Sequence, residues 1–306
     1  MEIPRIRTFS HYCRQKFGAP VGKIPLDLGI PCPNRSAGGC VYCSAAAFSP
    51  GYLGQKGDVA DQLERGKKYL LKGRFKKYFA YFQQETPTAM HPQPLLAVLK
   101  KVLHDIDCVG LIISTRPDYL DKTFLGSLDQ YINKCGKGCL VELGLQSAKP
   151  VSLEYLNRNH SYADFLGAFR LLRSFESFEV GVHLLFGIPG ESEEDMISSV
   201  LSVCGLGVDA LKLHHLQVLK DTALARIYKQ GDVELFSKEQ YLAFLLKILP
   251  LIPGNVVIHR LWATAHPQML IAPRWNLLAT ELSSVLRQMM EENDIWQGNS
   301  CHYSSK

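Results

Sequence analysis

Cys32, Cys40 and Cys43 stand in the run CPNRSAGGCVYC. Three thiols on one glycine-rich loop make a metal site one ligand short of the four that a structural zinc takes. An iron–sulfur cluster held by three cysteines instead leaves one iron open to a further ligand. The residues by themselves allow both an open cluster and a zinc knuckle completed from a distance by Cys108 or His91. Cys13, Cys108, Cys135, Cys139, Cys204 and Cys301 show no second ferredoxin-like spacing, so a single centre is expected. Cysteines in a chain without a secretion signal point to metal or redox work rather than to a disulfide framework.

Polar residues recur where later apolar runs end, as they do in α/β barrels that gather functional groups at strand ends. One run ends in Tyr81, Phe82, Gln83, Gln84, Glu85 and Thr86, and the next in Ser114, Thr115, Arg116, Pro117 and Asp118. In a third, the period of two places Glu142, Gly144 and Gln146 on one face and Val141, Leu143 and Leu145 on the other. Burying a carboxylate and an amide unpaired is costly, so a bound polar ligand is expected to supply their partners. Gly187, Ile188, Pro189, Gly190 and Glu191 lead into a helix whose first turn offers free N–H donors. Lys212 and His214 share a face opposite His215, and with His183, His259 and Arg260 they are candidates to line a substrate pocket.

The elements that must position these groups follow from composition and periodicity. The chain has 306 residues, 46% hydrophobic and 21% charged, which excludes a disordered or fibrous protein. A chain of this size buries roughly 75% of the surface it exposes when unfolded and needs no disulfide staples. No apolar run reaches the roughly 18 residues of a membrane span. The opening segment with Arg5, Arg7, Arg14 and Lys16 is not a secretory signal, so the cytoplasm is the expected compartment. Short apolar runs at 23–29, 77–83, 108–115, 139–146, 180–187 and 210–219 alternate with helical patterns, as in a parallel α/β sheet or open barrel. Leu95, Leu99, Val102 and Ile106 share one helix face, as do Met196, Val200 and Val203, the latter set preceded by a capping-box pair, Ser192 and Asp195. Pro25 fits only an edge strand or a strand start. Beyond 219 the rhythm changes to a helix at 238–249, a strand at 256–261 and a helix at 275–292.

The segments KIPLDLGIPCPNR, GGCVYC, YFQQETPT, ISTRPDYL, VELGLQSA, LEYLNRNH, VHLLFGIPGE, LKLHHLQVLKDT, VVIHRL, IAPRW and WQGN occur in this order along nearly the whole chain. In them the sequence resembles radical S-adenosylmethionine (SAM) enzymes, specifically the bacterial subgroup similar to the radical-SAM portion of the Elongator catalytic subunit. The resemblance implies an incomplete (β/α)6 parallel barrel over 21–219, an N-terminal arm over 1–20 and a C-terminal α/β extension over 220–306 packed on the barrel. It also implies one 4Fe-4S cluster on Cys32, Cys40 and Cys43, with SAM on the open iron and a one-electron donor such as flavodoxin or ferredoxin. Tyr42 is placed against the adenine, with the turn of Gly187, Ile188, Pro189, Gly190 and Glu191 behind it. Gln83 stands where the family contacts the methionine moiety, Glu142 and Gln146 are ribose or methionine contacts, and His214 joins the cofactor-binding set. Arg116, with Ser114 on the same strand face, is suited to meet a carboxylate bidentately.

Two departures accompany the resemblance. Seven residues separate Cys32 from Cys40 where the commonest family spacing has three. No acetyltransferase segment accompanies the matched motifs, so acetyl-CoA chemistry is not expected. Some relatives modify the wobble uridine of transfer RNA, including removal of a carboxymethyl group, which makes tRNA the expected substrate. The net charge of +5 is too mild to imply nucleic acid alone. The tract of Arg65, Lys67, Lys68, Lys72, Arg74, Lys76 and Lys77, interleaved with Tyr69 and Phe75, is a candidate phosphate contact. The alternatives are a radical SAM enzyme acting on a small metabolite or peptide, and a non-enzymatic metal-containing RNA-binding module. Cys40→Ala is expected to lose the cluster and SAM cleavage together; wild-type 5′-deoxyadenosine formation by that variant would refute the three-thiolate assignment.

Overall fold

A computed structural model describes residues 4–54 and 57–301. Seven parallel strands form one curled sheet in the order β1 (Val21–Leu26), β2 (Lys77–Phe82), β3 (Cys108–Thr115), β4 (Gly138–Gln146), β5 (Phe178–Phe186), β6 (Ala210–His215) and β8 (Val257–Arg260). The sheet is a half-barrel, an α/β fold with a C-terminal extension. The strand read from sequence as part of that extension is β8, which pairs with β6 and becomes the seventh strand of the sheet. Pro25 lies on β1, at the sheet edge, where its missing N–H costs no ladder hydrogen bond.

Helices α3 (Pro92–Leu103), α4 (Lys122–Cys135), α6 (Tyr162–Arg173) and α7 (Glu193–Gly205) connect consecutive strands and cover the outer face. Leu95, Leu99 and Val102 are buried there with Val141, Leu143 and Leu145 of β4 and Met196, Val200 and Val203 of α7. Ser192 and Asp195 form the expected capping box. Ile106 departs from expectation: α3 ends at Leu103, and Ile106 is 91% exposed in the turn before β3.

The concave face has its own layering. At the end where the strands start, helix α1 (Phe9–Phe17) closes the barrel, and Phe9, Tyr12 and Phe17 pack on Phe79, Tyr81, Ile112 and Leu140. A step of two residues along each strand then changes the lining from apolar to polar, from Ile112 to Ser114, Leu140 to Glu142 and Ala210 to Lys212. The chemistry is thereby held at the end where the strands finish.

The run expected at 210–219 is two strands. β6 ends at His215, and β7 (Val218–Leu219) pairs antiparallel with β9 (Leu270–Ala272). The last helix begins at Ala279 rather than near 275, because Trp275 is instead stacked on His215, ring centroids 4.0 Å apart. No helix among the described residues is long and apolar enough to cross a membrane.

At Gly110 on β3 a Cβ would come 2.2 Å from the Gly138 carbonyl oxygen on β4. Gly110→Ala is expected to destabilise the fold by about 1–3 kcal/mol, as overpacking does. An unchanged denaturation midpoint would show that the two strands are not held this closely.

Candidate active site

The loop after β1 carries Cys32, Cys40 and Cys43, and all three line a cavity of about 230 Å³ at the mouth of the half-barrel. The loop is fastened from two sides. Glu85, just beyond β2, accepts from the Cys32 N–H at 3.0 Å and from Arg35 Nε and Nη2. On the other side, Asn157 and Asn159 adopt left-handed backbone (φ 52° and 50°), a conformation asparagine tolerates better than most residues. Asn157 Nδ2 donates to the carbonyls of Ala37 and Gly39, and Asn159 Nδ2 donates to Asn34 Oδ1. Between them Arg158 reaches Cys40 Sγ at 3.2 Å, and Asn34 Nδ2 donates to the same sulfur at 3.3 Å.

The donor set suits a multi-iron cluster. Cys108, offered from sequence as a fourth zinc ligand, is buried in the helix-facing core, and neither it nor His91 lines the cavity. Among the described residues no three Cys, His, Asp or Glu side chains meet at the spacing of one small ion. Three thiols lining one cavity are the donor set of a cluster that leaves one iron open.

Glu142 forms the cavity floor, 1% exposed. It accepts from Lys212 Nζ at 2.6 Å, from Tyr81 OH at 3.2 Å and from Ser114 Oγ, while His183 Nε2 lies 3.2 Å and His259 Nδ1 3.3 Å from its oxygens. Burial alone would raise its carboxyl, but Lys212, His183 and His259 hold it well below the usual carboxylate range. Burial pushes the Lys212 ammonium down to about 8 against the pull of Glu142, and burial with repulsion from Lys212 brings Lys23 to about 7. The expectation that Glu142 depends on a ligand for its partners is therefore corrected: the chain supplies them.

The unsatisfied groups are elsewhere on the wall. Gln84 Nε2, Thr86 Oγ1, Arg116 Nη1, His214 Nε2, His215 Nδ1 and Gln217 Oε1 are buried without hydrogen-bond partners, and all six residues line this cavity. Buried polar atoms are rarely left unpaired, so the cluster of six marks where a polar ligand belongs.

Tyr42, Gln83, Ser114, Arg116, Glu142, Gln146 and His214, singled out in the sequence, are thus brought to one cavity. Gln146 sits at φ 79°, where the pairing with β5 shifts register. Arg116 does meet a carboxylate bidentately, but it is Asp118 of its own loop, at 3.0 and 2.9 Å. The turn of Gly187, Ile188, Pro189, Gly190 and Glu191 does not line this cavity; it faces a separate surface depression with Phe236 and Lys247. The cause is that β5 ends at Phe186 and the chain bends outward toward α7, leaving Ile188 packed in the apolar cluster that includes Tyr42. Sequence reasoning missed Arg158 and Gln217, while Gln84 and Thr86 belong to the polar strand end it had marked. The asparagines on either side of Arg158 were the available signal, since asparagine is the non-glycine residue that best tolerates the left-handed backbone of a tight, site-forming turn.

The fold and site define a radical SAM protein. The Radical SAM superfamily profile matches residues 30–202 and the Radical_SAM C-terminal domain matches residues 208–292, and the chain belongs to this superfamily. It is 31% identical to protein YhcC of Escherichia coli strain K12 over 274 residues, covering 88% of this chain and 87% of that one. It is 30% identical to YtqA of Bacillus subtilis strain 168 over 299 residues, 96% and 92% of the two chains. With the tRNA uridine(34) acetyltransferase of Methanocaldococcus jannaschii it shares 28% identity over 157 residues, 50% of this chain and 28% of that protein. The solved structure of the archaeal Methanocaldococcus infernus Elp3 has the same fold, with a TM-score of 0.65 at 20% identity, covering 90% of this chain and 64% of that one. The chain is a radical SAM enzyme, and the superfamily implies a 4Fe-4S cluster and SAM.

Glu142→Gln is expected to strand the buried Lys212 cation and cost about 3–5 kcal/mol near pH 6. Lys212 loses its proton as pH rises through about 8, so the loss shrinks near pH 9. Denaturation at both pH values checks this; equal losses would show that Lys212 does not depend on Glu142.

Proposed function

We propose that this enzyme remodels the side chain of a tRNA wobble uridine, with the cluster held by Cys32, Cys40 and Cys43 and SAM in the cavity beside it. When bound, the reduced cluster and SAM supply a 5′-deoxyadenosyl radical that takes a hydrogen atom from substrate. The chain's own part is to position and exclude water. The six unpartnered polar atoms supply donors and acceptors on the wall, Tyr42 supplies an apolar surface, and α1 seals the far end of the barrel against solvent. The electron comes from a flavodoxin- or ferredoxin-class donor.

The observation that carries the substrate class is the charge of the interior. Lys212 and Arg260 line the cavity with Lys23 behind them, against the buried carboxylate of Glu142, while Glu85, the other lining carboxylate, is paired with Arg35. A net positive recess favours a substrate side chain that ends in an anion, as a carboxymethylated uridine does. An anticodon loop presents unpaired bases that can enter such a recess. The partial likeness to a protein named for uridine 34 of tRNA supports the same choice.

The basic tract, a candidate phosphate contact, stands apart from the cavity. Lys67 is paired with Asp105 and Glu64, while Lys68, Tyr69, Lys72, Arg74 and Lys76 before β2 and Lys77 at its first position are exposed. They lie at the opposite end of β2 from the cavity, roughly 20 Å away for a strand of that length. A phosphate contact there would hold a part of the tRNA remote from the reacting base.

Nucleoside mass spectrometry of a deletion strain is expected to show a changed wobble-uridine profile, and an unchanged profile in a species that carries the substrate would overturn the proposal. An anticodon stem-loop bearing a carboxylate is expected to bind more tightly than its amide analogue. That preference should fade as pH rises through about 8, by at most about tenfold per pH unit. Lys212→Met should flatten it, and a pH-independent preference would exclude Lys212 from the recognition.

A further inference from the structure

Arg158 is anchored on three sides. Its Nε donates to His160 Nε2 at 3.1 Å, its Nη2 to the Gly144 carbonyl at 2.5 Å, and its Nη1 to Cys40 Sγ at 3.2 Å. The residue is 7% exposed, so solvent screens its charge little. Asn34, 4% exposed, adds its own N–H to Cys40 Sγ and is fixed by bonds to Asn157 O and from Asn159 Nδ2. No side-chain N–H among the described residues donates to the sulfur of Cys32 or Cys43, so the arrangement is specific to one thiol of the three.

We propose that Arg158, assisted by Asn34, sets the reduction potential of the cluster through Cys40. The inference rests on the reading of Cys32, Cys40 and Cys43 as the cluster ligands. Reduction adds one electron from a low-potential one-electron donor, and with it one negative charge spread over the irons and sulfurs. A fixed cation and N–H···S bonds stabilise the reduced form more than the oxidised form and raise the potential. Arginine is suited to this because its charge is permanent and its planar fork lets one nitrogen face the sulfur while the others bind backbone and imidazole. Arg158 is thus a positioning and tuning residue: it acts on the cluster through Cys40.

The experiment is a potentiometric titration of anaerobically reconstituted protein, followed by the electron paramagnetic resonance of the reduced cluster. Arg158→Gln is expected to shift the reduction equilibrium about tenfold toward the oxidised form, 59 mV more negative for one electron. Arg158→Lys, which keeps the charge without the fork, should shift it the same way by a smaller factor. Iron content is read in parallel. If wild-type protein takes up no iron–sulfur cluster, the ligand assignment itself fails. If the variants load iron as wild type does and titrate at the wild-type potential, the tuning role is overturned. If Arg158→Gln loads poorly, Arg158→Lys carries the test, and failure of both to load would make Arg158 a clamp of the loop and likewise overturn the proposal.

Discussion

The half-barrel is organised around one buried carboxylate. Glu142 sits where water does not reach, and a charge there persists only because Lys212, Tyr81, Ser114, His183 and His259 converge on it. Those partners come from β2, β3, β5, β6 and β8, so the ion pair ties together strands far apart in sequence. It also sets the depth of the cavity. Below it the lining is apolar apart from Lys23 over the Phe9 ring and is plugged by α1, and above it the lining is polar with its hydrogen-bonding capacity unspent.

The loop bearing the three cysteines is positioned by a comparable economy of parts. Glu85 fastens its start, and the NRN segment fastens its end while placing a guanidinium on Cys40. The longer spacing between Cys32 and Cys40 leaves room for a short helical turn, Pro33–Ala37, and for the glycines Gly38 and Gly39 in left-handed backbone. These let the chain reverse so that Cys40 and Cys43 return to the same wall as Cys32.

Much of the architecture was legible in the residues. The helix-facing residues of β4 and the capping box of α7 lie where alternation and helical period placed them, because burial on one face imposes those periods directly. Legibility failed at ends and at connections. Ile106 continued a helical spacing past the last hydrogen-bonded turn, and β8 looked like part of an appendage because nothing in a short apolar run says which strand it will join. The 187–191 turn resembled a cofactor-facing motif, yet its direction is set by where β5 stops and α7 begins.

From the sequence alone came the chemistry: three thiols on one loop, a strand whose alternate positions carry Glu142 and Gln146, and the family those motifs belong to. Residue type and spacing determine such things because thiolate ligation and strand alternation are local. The tertiary structure alone decided that Glu142 is satisfied by the chain, that six other polar groups are left open, and that Arg158 falls on Cys40. Each of these depends on groups separated by tens to hundreds of residues, whose meeting is fixed by the curl of the sheet and not by any local rule.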